Sequence, residues 1–132
     1  MDFEVLVVDD DKMVSLLHSK AISISGIHNN PKIFYNGLEA FDFVKSEPNS
    51  RYVVLLDINM PVMDGWDFLD KVAEELPSTE LAVIIVTSSI DKSDKVKANT
   101  YSVIKEFVEK PLTVNKVKSF EDNPELAAFL KA

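Results

Sequence analysis

Three uninterrupted apolar runs constrain this chain more than any other feature: Val-Leu-Val-Val at 5–8, Val-Val-Leu-Leu at 53–56 and Leu-Ala-Val-Ile-Ile-Val at 81–86. A strand with one wet face alternates apolar and polar residues. Runs without alternation predict strands buried on both faces, as in a parallel sheet covered by helices. Shorter runs at 32–35 and 106–108 predict two more strands. Helical spacing fills the intervals. Met13, Leu16, Leu17, Ala21 and Ile24 recur at helical intervals and stop at Gly26. Leu38, Phe41 and Val44 mark a second helix ending before Pro48, and Trp66, Leu69, Val72, Ala73 and Leu76 a third stopped by Pro77. The polar 91–100 segment carries the weakest helical pattern, with Asp91 as its cap. Val114, Val117 and Phe120 begin a last helix that Pro124 interrupts, and Asp122 or Asn123 can cap a new start. Strands alternating with helices predict an α/β doubly wound parallel sheet with helices on both faces.

At 132 residues the chain suits a single domain over 1–132, with a core large enough to fold without staples. It has no cysteine, which excludes thiolate metal sites, thiol catalysis and disulfides. The formal charge is −8, so a polyphosphate backbone is repelled and direct nucleic-acid binding is not expected. No apolar stretch reaches about 18 residues, and the 5–8 run is too short for a signal peptide. A soluble, cytoplasmic protein without membrane association is expected.

In doubly wound sheets, ligands bind beyond the carboxyl ends of the strands. Those ends are polar here. Asp9, Asp10 and Asp11 follow the first run, Asp57 the third, Thr87, Ser88 and Ser89 the fourth, and Lys110 and Pro111 the fifth. Bare carboxylates brought to one edge would repel, and a hard divalent cation such as Mg²⁺ relieves that. With a hydroxyl at Thr87 and a cation at Lys110, the set suits a phosphoryl group. Asp11 is better placed to cap the following helix than to serve the site.

Taken together, VVDDD at 7–11, LLDINMPVMDG at 55–65, VTSS at 86–89 and VEKP at 108–111 resemble the receiver domain of two-component response regulators. The resemblance runs from Glu4 to about Phe120 and is nearest the chemotaxis-type, stand-alone receivers. It implies a five-stranded sheet in the order 2-1-3-4-5. By the resemblance, Asp57 is the phosphoacceptor, taking a phosphoryl group from the phosphohistidine of a partner. Asp10 and Asp57 are direct Mg²⁺ ligands, Asp9 acts through water, and Asn59 offers its backbone carbonyl. Lys110 pairs with a phosphoryl oxygen, and Pro111 follows a cis bond. Thr87 and Phe107 form the switch. The partners implied are a sensor histidine kinase or a histidine phosphotransfer protein, and an unnamed downstream protein. The chain would catalyse its own phosphorylation and slow dephosphorylation rather than act as an enzyme on other substrates. Asn59 and Ser89 are expected to tune water access.

Three departures stand out. Residues 99–102 (Asn-Thr-Tyr-Ser) replace a Gly-Ala-like turn, Phe107 lacks the hydroxyl of a switch tyrosine, and the last helix is interrupted near Pro124. Two other readings remain open. Asp9 and Asp11, one residue apart after a strand, match a haloacid-dehalogenase-like phosphatase. The chain could also be a receiver-like interaction module that is never phosphorylated. Gly65 is expected where backbone approaches closely, Met60 and Met63 in loop packing, and Trp66 in the core. His18 and His28 are expected in surface or capping roles, and Lys92, Lys95 and Lys97 on a solvated helix face.

Overall fold

A computed structural model of the chain describes residues 3–88 and 91–131. The apolar runs form a five-stranded parallel sheet of β1 (Glu4–Val8), β2 (Lys32–Phe34), β3 (Arg51–Leu56), β4 (Glu80–Thr87) and β5 (Ile104–Glu109). The strand order is β2-β1-β3-β4-β5. Four strands begin one or two residues before their runs, at 4, 51, 80 and 104, and β2 ends at Phe34, one residue short of the expected 32–35. The helices are α1 (Lys12–Ser25), α2 (Gly37–Ser46), α3 (Gly65–Glu75), α4 (Lys92–Ala98), α5 (Val114–Ser119) and α6 (Pro124–Lys131).

Strand alternation divides the core in two. Leu6, Val8, Val54, Leu56, Val83 and Ile85 pack with Phe41, Phe68 and Leu69 on the face of α2 and α3. Val5, Val7, Val53, Leu55, Ile84 and Val86 pack with Ile22, Val117 and Leu126 on the face of α1, α5 and α6. An irregularity between Val83 and Ile84 makes β5 skip Lys105: Val83 pairs with Ile104 and Ile84 with Glu106. Beyond it, Ile85 pairs with Phe107 and Thr87 with Glu109, which places Thr87 and Phe107 on one face of adjacent strands.

Helix ends follow local chemistry. Asp11, Asn36, Asp64, Asp91 and Thr113 each accept a backbone N–H in the first turn of the following helix. Gly26 ends α1 in the left-handed region, at φ 85°. α2 stops at Ser46 and α3 at Glu75, short of their prolines.

The α1 face expected from apolar spacing is wrong. Of its five residues only Ala21 is buried; Met13, Leu16, Leu17 and Ile24 are exposed. The helix turns Ser15, His18, Ala21 and Ile22 inward instead. Both inward polar groups have partners: the Ser15 hydroxyl donates to the Asp9 carbonyl and His18 accepts the Leu112 N–H. Lesser departures are Leu38 and Ala73, which face outward.

After α5 the chain passes through a 3₁₀ turn, Phe120–Asp122, and restarts as α6 with Pro124 in its first turn. Asn123 is the cap, its Oδ1 accepting from the N–H groups of Glu125 and Leu126, and its amide donates to the Lys105 carbonyl. Arg51 donates to the Phe129 carbonyl at 2.8 Å and lies 4.1 Å from the Phe129 ring centre. Leu126 is fully buried, so α6 belongs to the core. Leu126→Ala is expected to lower unfolding free energy by about 2–5 kcal/mol, and Asn123→Ala by about 1 kcal/mol. Chemical denaturation of both variants checks this; parent-like midpoints would mean that α6 adds nothing.

Candidate functional site

The parallel register carries the polar strand ends to one edge. β1 and β3 are neighbours with Val8 opposite Leu56, so the next residues, Asp9 and Asp57, emerge side by side. The Asp57 N–H donates to the Val8 carbonyl at 2.9 Å, and the Asp9 N–H to the Phe34 carbonyl at 3.0 Å. Asp9 and Asp57 are both buried, at 2% and 6% exposure, whereas Asp10 is exposed. One carboxylate oxygen from each of Asp9, Asp10 and Asp57 lies within 4.8 Å of the others. Such a set of hard oxygen donors fits a small divalent cation.

Lys110 supplies the countercharge. Its Nζ lies 2.6 Å from Asp9 Oδ2 and 3.4 Å from Asp57 Oδ2. Burial alone would lower its pKa, but the Asp9 hydrogen bond and the charges of Asp57 and Asp9 outweigh it and hold Lys110 above the ordinary lysine range. Asp57 behaves oppositely. Burial, then the Asp9 charge, push its pKa up to about 6, and Lys110 and the Asn59 backbone amide offset only part of this. The lysine sits closer to Asp9 than to Asp57, which leaves Asp57 the less neutralised of the two.

The remaining residues surround this core. Thr87 is buried, and its carbonyl accepts the Lys110 N–H at 2.7 Å. The Lys110–Pro111 bond is cis. Asn59 is exposed, and Ser89 lies outside the described residues. Asp11 stands apart: its Oδ1 accepts the N–H groups of Met13 and Val14 as the α1 cap. Phe107 is half-buried against the α2/α3 core. Gly65 fits the close approach expected of it, since a Cβ there would lie 2.6 Å from the Asp57 carbonyl. Met60 is buried, and the Met63 carbonyl accepts the Gly37 N–H at 3.0 Å.

Four features escaped sequence reading. His18 is buried beneath the site rather than on the surface, and burial, offset by Asp9 and reinforced by Lys110, lowers its pKa. His28 is also buried, against the Phe3 ring; its Nδ1 accepts the Asn30 N–H in a local turn. Val62, in the loop after Asp57, holds φ at 71°, which is costly for a β-branched residue and has no sequence signal. Lys97 is not purely solvated: its Nζ lies 4.8 Å from the Trp66 ring centre, and Trp66 stacks on Tyr101.

This arrangement can be set beside known proteins. The family model for the response regulator receiver domain matches residues 5–120. The chain is a response regulator receiver domain. It is 32% identical over 114 residues to "Two-component response regulator 24" of Arabidopsis thaliana, covering 86% of this chain and 78% of that protein. It is 29% identical over 115 residues to "Chemotaxis protein CheY" of Treponema pallidum, covering 87% of this chain and 77% of that protein. A third relative, "Sensor histidine kinase CheAY" of Helicobacter pylori, is 31% identical over 110 residues, 83% of this chain; the receiver spans only 13% of that protein's length. Among solved structures, a two-component response regulator from Cytophaga hutchinsonii superposes with a TM-score of 0.81 at 24% identity, covering 97% of this chain and 96% of that one, a likeness of fold. Among the described residues of the receiver, no helix is long and apolar enough to cross a membrane.

The raised Asp57 pKa has a sign that can be tested. Its folded-state value, about 6, exceeds the ordinary 3.8. The protonated group's contribution to stability is therefore full below about pH 4 and lost as pH rises through about 6. In chelator, Asp57→Asn is expected to gain on the parent across that window, by on the order of 1–3 kcal/mol at pH 7.5. Urea unfolding at pH 4 and pH 7.5 reads the difference. A variant less stable than the parent at pH 7.5 would contradict it.

Proposed function

We propose that this receiver accepts a phosphoryl group on the Asp57 carboxylate and acts as a phosphorylation-controlled switch or as an intermediate in a phosphorelay. The observation that carries the reading is Lys110 bridging two buried carboxylates, Asp9 and Asp57, with Asp10 at the open side. An Asp57 oxygen attacks the phosphorus of a phosphohistidine on a partner kinase or phosphotransfer protein. The O–P bond forms, the N–P bond breaks, and the departing imidazole nitrogen keeps the bonding pair. Aspartate is a weak nucleophile, so positioning and charge neutralisation carry the catalysis.

Asp10 and Asp57 would hold Mg²⁺ with the Asn59 carbonyl, and Asp9 would act through water; the ion, when bound, offsets the charge of the carboxylates and the incoming phosphoryl group. Lys110 pairs with a phosphoryl oxygen. Thr87 supplies its hydroxyl to the new group, and Phe107, on the same sheet face, transmits the change by packing more deeply against the core it already touches. Asn59 and Ser89 control the approach of hydrolytic water. This receiver is a single domain over 1–132 that works in the cytoplasm and passes its signal to another protein. The commitment of Asp11 to the α1 cap favours Asp57 over an Asp9/Asp11 phosphatase.

Incubation with acetyl phosphate and Mg²⁺, followed by intact-mass measurement, is expected to show one added phosphoryl group that is absent in Asp57→Asn and in chelator. Undiminished labelling of Asp57→Asn would overturn the assignment, and no labelling of the parent would favour an interaction module that is never phosphorylated. Beryllium fluoride is expected to alter Trp66 emission only when Mg²⁺ is present. An equal response in chelator would refute the metal role of Asp10.

A further inference from the structure

His18 is the buried titratable group that the proposed chemistry leaves unused. It sits on the inward face of α1, is 2% exposed, and its Nε2 accepts the Leu112 backbone N–H at 3.2 Å. The two residues are 94 positions apart in the chain, so the bond ties α1 directly to the segment after β5. Accepting an N–H requires an unprotonated Nε2, which agrees with the direction in which burial moves this histidine.

The position of that bond gives it meaning. Lys110 extends its ammonium into the site from a backbone that needs fixing on both sides. On one side its own N–H donates to the Thr87 carbonyl at 2.7 Å. On the other side Pro111 has no N–H to offer. Leu112 therefore provides the first amide after Lys110 that can tether the loop, and its partner is His18. Leu112 is buried, at 4% exposure, so no solvent competes for this N–H and its loss would leave an unsatisfied donor.

We infer that His18 is a positioning residue for phosphoryl transfer: by accepting the Leu112 N–H it fixes the 110–112 backbone that aims the Lys110 ammonium between Asp9 and Asp57. This role rests on the phosphoacceptor reading above. A slack loop would let the ammonium settle on Asp9 alone or swing away, and the phosphoryl group would lose its countercharge at the moment it needs it.

The test is the initial rate of Mg²⁺-dependent labelling by acetyl phosphate, with folding checked by circular dichroism. His18→Leu fills the space without an acceptor and is expected to slow labelling about tenfold or more, as misplacement of a catalytic group does. His18→Gln places its Oε1 near the position of Nε2 and is expected to stay within about threefold of the parent. In a Lys110→Ala background, His18→Leu is expected to change the rate by less than about twofold, because a residue acting through Lys110 has nothing left to position. Should His18→Leu not fold, His18→Asn replaces it; its amide is polar but too short to reach Leu112, and the same loss is expected. A folded His18→Leu with the parent's rate, a glutamine variant as slow as the leucine one, or an undiminished effect without Lys110 would each overturn the role. Labelling of the parent with no effect of His18→Leu would remove this role alone. No labelling of the parent would remove the phosphoacceptor reading and this role with it.

Discussion

The ammonium of Lys110 holds together a charge arrangement that would otherwise push apart. Asp9 and Asp57 leave adjacent strands at equivalent register and are both taken out of water. At an effective dielectric of about 20, two unit charges about 4 Å apart interact by about 4 kcal/mol. A cation between the two carboxylates converts much of that repulsion into attraction. Burial and the Asp9 charge still hold the Asp57 pKa up, because Lys110, nearer Asp9, offsets only part of them. The strand order makes this possible: β1 and β3 lie side by side at the centre, while β5 lies two strands from β3, within a lysine's reach across the Thr87 end of β4.

Much of this was legible because parallel strands announce themselves. The runs at 5–8, 53–56 and 81–86 lack alternation for a physical reason, burial on both faces, and the polar residue that ends each run lies at the sheet edge. Asp9, Asp57, Thr87 and Lys110 could therefore be grouped before any coordinates. The α1 face could not. Hydropathy assigns a helix its inner side by counting apolar residues, yet α1 turns Ser15 and His18 inward beside a polar site and leaves Met13, Leu17 and Ile24 outside. What makes a buried histidine tolerable is the Leu112 N–H, a partner distant in sequence, and no local pattern encodes it. Val62 is similar: its left-handed backbone belongs to the loop as a whole.

The altered 99–102 turn also became interpretable only in three dimensions. Tyr101 stacks on Trp66 and donates its hydroxyl to Asp70 at 2.8 Å, so the segment after α4 is anchored to α3. Burial and the Asp70 hydrogen bond push the Tyr101 pKa up to about 12. Lys97 of α4 covers the other partner of the stack, Trp66. α4 is thus tied to the helix that begins at Gly65, against the Asp57 carbonyl. In the proposed switch, a change at Asp57 has two physical routes outward, one through Thr87 and Phe107 and one through the start of α3.

In the proposed switch Asp57, and not the neighbouring Asp9 or Asp10, carries the phosphoryl group. Borohydride reduces an acyl phosphate to the alcohol and marks the acceptor with homoserine. Peptide mapping of the labelled and reduced parent protein reads the position directly. Homoserine at position 57 is the expected result; homoserine at position 9, with none at 57, would contradict it.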